Sequence, residues 1–314
     1  MLGRMEVPAD PGSVADSGTH ARHQAPDRRV PTVGSTIGAF FVMLAVSTVG
    51  LFAVGIIVAL VLIMAGTAPN DVGKRFETEP ELGIIVGSGF QAGALIVAFA
   101  WRPRRAIGAR KRLGLVSPGL SAGSWATLLL ASGVPMWLSL LAASTVPSLG
   151  GGEQLEDMWG TFSVAGSIAW VLYIGLVPGF CEELFFRGFF QRRLQYHWST
   201  PASIALASIL FALLHVDPPA MALALILGVW LGWVAWRTGS ILPTIATHVL
   251  VNASWNTGQI IVRQANIPEV YVWWAVGMLT AISLVCFILT VVRLGRAPAP
   301  ALPAYQASPE DRSS

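Results

Sequence analysis

Residues 162–194 read FSVAGSIAWVLYIGLVPGFCEELFFRGFFQRRL. The first two thirds are almost wholly apolar, and then CEELFFRGFF, 181–190, sets two adjacent carboxylates and a guanidinium among aromatic side chains. Which solvent surrounds those charges depends on the rest of the chain. Apolar residues make up 54% of the 314 and charged residues only 12%, and the mean hydropathy is positive, a balance foreign to soluble proteins of this length. The default solvent is lipid. An α-helix needs about 20 apolar residues to cross the roughly 30 Å hydrocarbon core. Eight stretches approach or exceed that length, at about 36–66, 82–101, 121–146, 162–194, 201–216, 219–236, 240–262 and 271–292. None alternates polar and apolar residues as a membrane barrel strand would, which leaves helices as the only spanning structure. The expected fold is all-α, a polytopic helical membrane bundle of about eight transmembrane helices.

Flanking charge predicts the orientation. All six basic residues of RPRRAIGARKR, 102–112, lie between the second and third stretches, whereas SLGGGEQLEDMWG, 148–160, holds acids and no Lys or Arg. With both termini cytoplasmic, 17 of the 20 Lys and Arg fall inside, and only Lys74, Arg75 and Arg263 fall outside, as the positive-inside rule asks. Residues 1–34 are polar and rich in Pro and Gly, and the apolar run after them is too long for a secretory signal, so they read as a disordered cytoplasmic tail. The segments expected to follow are N-terminal spans over 35–158, a core over 159–262, a last span over 263–293 and a second disordered tail over 294–314. An integral protein of the cell membrane is the expectation. Cys181 and Cys286 both fall in predicted spans and suggest neither a disulfide framework nor a thiolate metal site. No clustered basic and aromatic surface points to nucleic acid.

Ionisable groups in hydrocarbon are costly, at least ~2.5 kcal/mol when unpaired, and therefore call for a reason. Of the 17 acids only Glu182 and Glu183 lie well inside a predicted span, and of the five histidines only His215 and His248. On a helix, residues four apart share a face, so Glu183 can pair with Arg187, and His248 stands beside Asn252. Glu182 points about 100° away from Glu183. In a hairpin turning at YHWSTP, 196–201, where Ser199 or Thr200 caps a helix begun at Pro201, Glu182 falls opposite His215. A carboxylate beside an imidazole can activate a water as general base, and a second His with an Asn can donate to the oxygen of a tetrahedral intermediate. Glu182 with His215 fits the first role, and His248 with Asn252 the second. Glu182, His215 and His248 equally form a set of zinc ligands, two imidazoles and a carboxylate, although the HExxH pattern is absent. Spacing leaves a divalent metal such as zinc, or none, both open.

EELFFRGFF (182–190), ILFALLH (209–215) and RTGSILPTIATHVLVNASWN (237–256) resemble, in order and spacing, the three signature motifs of the CPBP family, the CAAX proteases and bacteriocin-processing proteins, also called type II CAAX prenyl endopeptidases or Abi proteins. The resemblance covers about 160–260. It implies an intramembrane endopeptidase in which Glu182 is the catalytic glutamate, His215 its partner on the water, His248 and Asn252 the oxyanion side, and Glu183 with Arg187 the supporting pair. It also implies a substrate that is a membrane-associated or lipidated protein or peptide, and it carries both metallo- and glutamate-type descriptions of the mechanism. Two other classes share these features. A catalytically idle immunity or scaffold protein would keep the fold without turnover. A proton-coupled transporter would also bury Glu and His, but no inverted repeat relates the first four stretches to the last four.

Overall fold

A computed structural model describes residues 30–101, 108–148, 159–160, 162–265 and 267–303. Most of both expected tails, the basic cluster at 102–105 and the acidic stretch after Ser148 lie outside the described residues. Helices stand at all eight predicted places, and among the described residues there is no strand. In chain order they are α1 (Val33–Met64), a short α2 (Val72–Thr78), α3 (Pro80–Ala100), a single turn α4 (Ala109–Arg112), α5 (Ala122–Ala131), α6 (Gly133–Ala143), α7 (Val164–Leu194), α8 (Thr200–Leu213), α9 (Pro218–Thr238), α10 (Leu242–Ala265) and α11 (Glu269–Arg296). Among the described residues six helical segments are long and apolar enough to cross a membrane, α5 and α6 counting as one. The two exceptions are informative. α8 is short, 14 residues. α10 has 24 residues but carries His248, Asn252 and Asn256, whose polarity lowers its hydropathy.

Small residues set the packing. In lipid, helices associate through close approach of their backbones, which Gly allows. A Cβ on Gly89 or Gly93 of α3 would collide with Gly50 or Ser47 of α1, so this pair of positions seats α3 on α1. Gly83 and Gly87, on the opposite face, meet Trp170 and Tyr173 of α7. Along α7, Gly175 abuts Ala253 and Gly179 abuts Val249, which fixes α10 antiparallel to α7. α7 is thus gripped from two sides. Its C-terminal half is the aromatic centre of the core, where Phe185, Phe186, Phe189 and Phe190 are buried with Phe40 and Phe211. The Phe186 and Phe211 rings meet edge to face at 5.2 Å, joining α7 to α8.

The turn between α7 and α8 forms as its sequence suggests. Ser199 Oγ accepts from Ala202 N–H at 3.4 Å and Pro201 stands in the first turn. α8 stops earlier than expected, at Leu213, which leaves His215 in the turn beyond it and not within a span. At the other end of the chain α11 runs to Arg296, past the expected tail boundary at 294. Beyond it Pro300 covers Gly239, and the Tyr196 hydroxyl donates to the Pro303 carbonyl at 2.7 Å.

Candidate active site

Pro178 sits inside α7 and has no N–H to offer the carbonyl four residues back, that of Ile174. Asn252 of α10 supplies the missing donor, Nδ2 to Ile174 O at 3.0 Å. The same seam continues along α10. Asn256 Nδ2 donates to Asn252 O at 2.9 Å, and Trp170 Nε1 donates to Asn256 Oδ1 at 2.9 Å. Just beyond the two glutamates, Leu184–Gln191 winds as a π-helix, an uncommon geometry frequent at functional sites. From it Arg187 and Gln191 reach α9, donating to the carbonyls of Gly228 at 3.1 Å and Gly232 at 3.0 Å.

Glu183 and Arg187 are paired as their spacing predicts, at 2.5 Å, with both side chains no more than 1% exposed. The guanidinium also lies over the Phe211 ring, 4.5 Å from its centroid. The same Glu183 oxygen takes a second bond, from His248 Nδ1 at 3.1 Å. A carboxylate accepts, so Nδ1 carries the proton and Nε2 is the free edge of the imidazole. Glu183 therefore does more than neutralise Arg187. It fixes the tautomer and aim of His248.

Glu182 diverges from Glu183 as the helix requires and is 15% exposed. Its partner is one the sequence reading missed. Gln91 of α3 donates Nε2 to Glu182 Oε1 at 2.9 Å. The other oxygen, Oε2, faces His248 Nε2 at 3.9 Å. His215 makes no direct hydrogen bond to Glu182. Its Nδ1 bonds the Phe211 carbonyl at 3.1 Å in the turn before α9, where Val216 takes a left-handed φ of 60°. All four residues nonetheless line a single cavity of about 560 Å³, together with Gln91 and Asn256. Its remaining walls, from α1, α3, α7, α8 and α9, are mostly apolar, Leu51, Phe90 and Leu223 among them.

Comparison with known proteins adds a second line. Residues 164–254 match the model of the family described as type II CAAX prenyl endopeptidase Rce1-like. The match covers less than a third of the 314 residues. No curated protein and no solved structure matches the chain. The Rce1-like segment carries Glu182, Glu183, Arg187, His215, His248 and Asn252, which is the whole set picked out in the three motifs. It does not contain Gln91 or Asn256, so the cavity is completed by side chains outside it.

The zinc alternative can be tested on the donors. Among the described residues, no three or more His, Cys, Asp or Glu side chains are gathered so that they could hold a metal ion. Glu182, His215 and His248 share the cavity but are not drawn together as a metal site as placed.

Gln91 had a signal in the sequence, being the one carboxamide within the apolar run 82–101. Nothing in spacing could pair it with a residue 91 positions later. The Asn252 bond was closer to hand, since an internal Pro always frees a carbonyl.

Proposed function

We propose that the protein is an intramembrane endopeptidase that hydrolyses a peptide bond of a membrane-associated or lipidated protein or peptide. The observation that carries the reading is the convergence of Glu182, His215, His248 and Asn252, from three parts of the chain, on one cavity within a helical bundle whose core segment is Rce1-like. Glu182 is the general base, and His215 across the cavity is its partner on the attacking water. The water gives a proton to Glu182 as its oxygen bonds the scissile carbonyl carbon. The oxyanion so formed is met by the Nε2 edge of His248, in its protonated form, and by the second amide hydrogen of Asn252. Glu182 then returns the proton to the leaving amine as the C–N bond breaks. Glu183 and Arg187 support this by holding His248 and by tying α7 to α9. The protein sits in the cell membrane with both termini cytoplasmic, in accord with the division of its basic residues, 16 on the inner side, three on the outer and Arg187 within the bundle.

The test is turnover of prenylated and unmodified peptides by the purified protein in lipid vesicles, beside Glu182→Gln and His215→Ala. Glu182→Gln should lower turnover about 10²- to 10⁴-fold and leave folding intact. Chelators should have no effect. A fully active Glu182→Gln would overturn the reading, and a loss to chelator restored by zinc would replace the water-activating pair with a metal site.

A further inference from the structure

Gln91 asks for an explanation that packing does not give. It is 8% exposed in the middle of α3, where a Leu or Met would suit the apolar surroundings, and it spends its two polar atoms unequally. Nε2 donates to Glu182, while Oε1 is buried and has no partner. A half-satisfied buried amide is destabilising compared with an apolar residue of similar shape. Something other than stability is served by having an amide there.

The helix is set up to deliver it. Gly83, Gly87 and Gln91 follow one another at four-residue steps, which on an α-helix makes one stripe. They meet Trp170, Tyr173 and Glu182 of α7 in the same order, so α3 runs parallel to α7 and the stripe faces it throughout. A Cβ on Gly87 would collide with the Tyr173 hydroxyl, and on the other face one on Gly93 would collide with Ser47 Oγ, so α3 has little freedom to shift. The amide is thus carried to the carboxylate by rigid backbone. The bond it makes is to Oε1, the oxygen that does not face His248.

We infer that Gln91 is a positioning residue for Glu182: it holds Oε1 from α3 and thereby presents Oε2 to the cavity beside His248 Nε2. The inference rests on the reading of Glu182 as the base, and it makes α3, outside the Rce1-like segment, part of the catalytic apparatus. Glu182 is then held by one neutral donor, whereas Glu183 is held by a guanidinium and an imidazole.

Two substitutions separate positioning from packing. Gln91→Met fills the space without a donor, and Gln91→Glu keeps the shape but replaces the donor with a second carboxylate. Both should lower kcat about 10- to 100-fold, the scale of a misaligned reacting group, with KM within about twofold of the parent. Gln91→Met should unfold in detergent at the same temperature as the parent or higher. Combined with Glu182→Gln, it should slow the reaction no further, because the two act as one unit. Should Gln91→Met keep the parent kcat beside an inactive Glu182→Gln, the assignment fails while the peptidase reading stands. A lowered unfolding temperature with unchanged kcat per folded molecule, in both Gln91 variants, would make Gln91 a packing residue and overturn it likewise. Full activity of Glu182→Gln would remove the base itself, and the role of Gln91 with it.

Discussion

Two Glu–Arg pairs in this protein share the same four-residue spacing and the same 2.5 Å contact. Arg75 and Glu79 join α2 to the start of α3, each about a third exposed, and Arg75 also reaches Thr67 Oγ1 at 3.0 Å. Glu183 and Arg187 lie in the middle of the bundle, no more than 1% exposed. They run in opposite order along the chain, and physically they differ in almost everything. The exposed pair gains little over hydration and clips a loop. The buried pair has been stripped of water, and it persists only because further partners share the load: the Gly228 carbonyl, the Phe211 face and His248 Nδ1. Pair geometry alone says nothing about worth; the surroundings decide it.

The largest effect should come from breaking the buried pair on one side. Glu183→Gln leaves Arg187 charged in a dry site and puts a neutral amide in place of the carboxylate that holds His248, and losses of roughly 3 to 5 kcal/mol are typical of such deletions. Stability in detergent should fall accordingly, and turnover with it. Replacing both partners by apolar residues, Glu183→Leu with Arg187→Met, should recover much of the stability, because no unpaired charge remains. Turnover should stay low, because with leucine at 183 His248 has no acceptor for Nδ1–H. Recovery of turnover along with stability would show that the pair serves architecture alone.

A smaller effect separates the two duties of Asn252. Asn252→Ala should cost about 1 to 3 kcal/mol, the scale for a buried acceptor left unpaired, since Ile174 O loses its donor. In a Pro178→Ala background that cost should shrink, because the substituted alanine can supply the missing N–H from within α7. Double-mutant analysis of unfolding measures the coupling directly. If the loss of turnover also disappears in the double variant, Asn252 is a backbone partner and not an oxyanion donor.

How much of this was legible beforehand follows from the range of each interaction. Hydropathy is a local sum, and helix stands at each of the eight places it marked; the four-residue rule is local too, and it found Glu183 with Arg187. The end of α8 was missed by a few residues because His215 bonds the carbonyl four residues back, so its helix-like polar spacing continues past the point where the backbone turns. The hydrogen-bond donor to Glu182 was out of reach for a different reason. A hairpin argument sees only neighbours in sequence, and α3, which supplies Gln91, reaches α7 through glycine contacts that no spacing rule connects. The π-helical winding of Leu184–Gln191 was equally invisible, being stabilised by carbonyls of α9 forty-one residues on.

The smallest effect belongs to the exposed pair, and its sign can be worked out from pH. The hydrogen bond from Arg75 holds the Glu79 carboxyl below its ordinary range, partly offset by the desolvation of packing at the helix junction. A carboxyl depressed in the folded state binds its proton less readily there than in the unfolded chain. Its contribution is therefore complete above the unfolded value, about pH 4.3, and fades as the pH falls through the lower, folded value. Both side chains are open to water and salt, so that contribution should be close to nothing. Glu79→Gln should unfold within experimental scatter of the parent at pH 7, and again at pH 3, in low and in high salt. A clear loss at pH 7 that vanishes in acid would mean that the clip between α1 and α3 bears on the seating of α3, and through it on Gln91 and the site; the contrast between the two pairs would then be one of degree and not of kind.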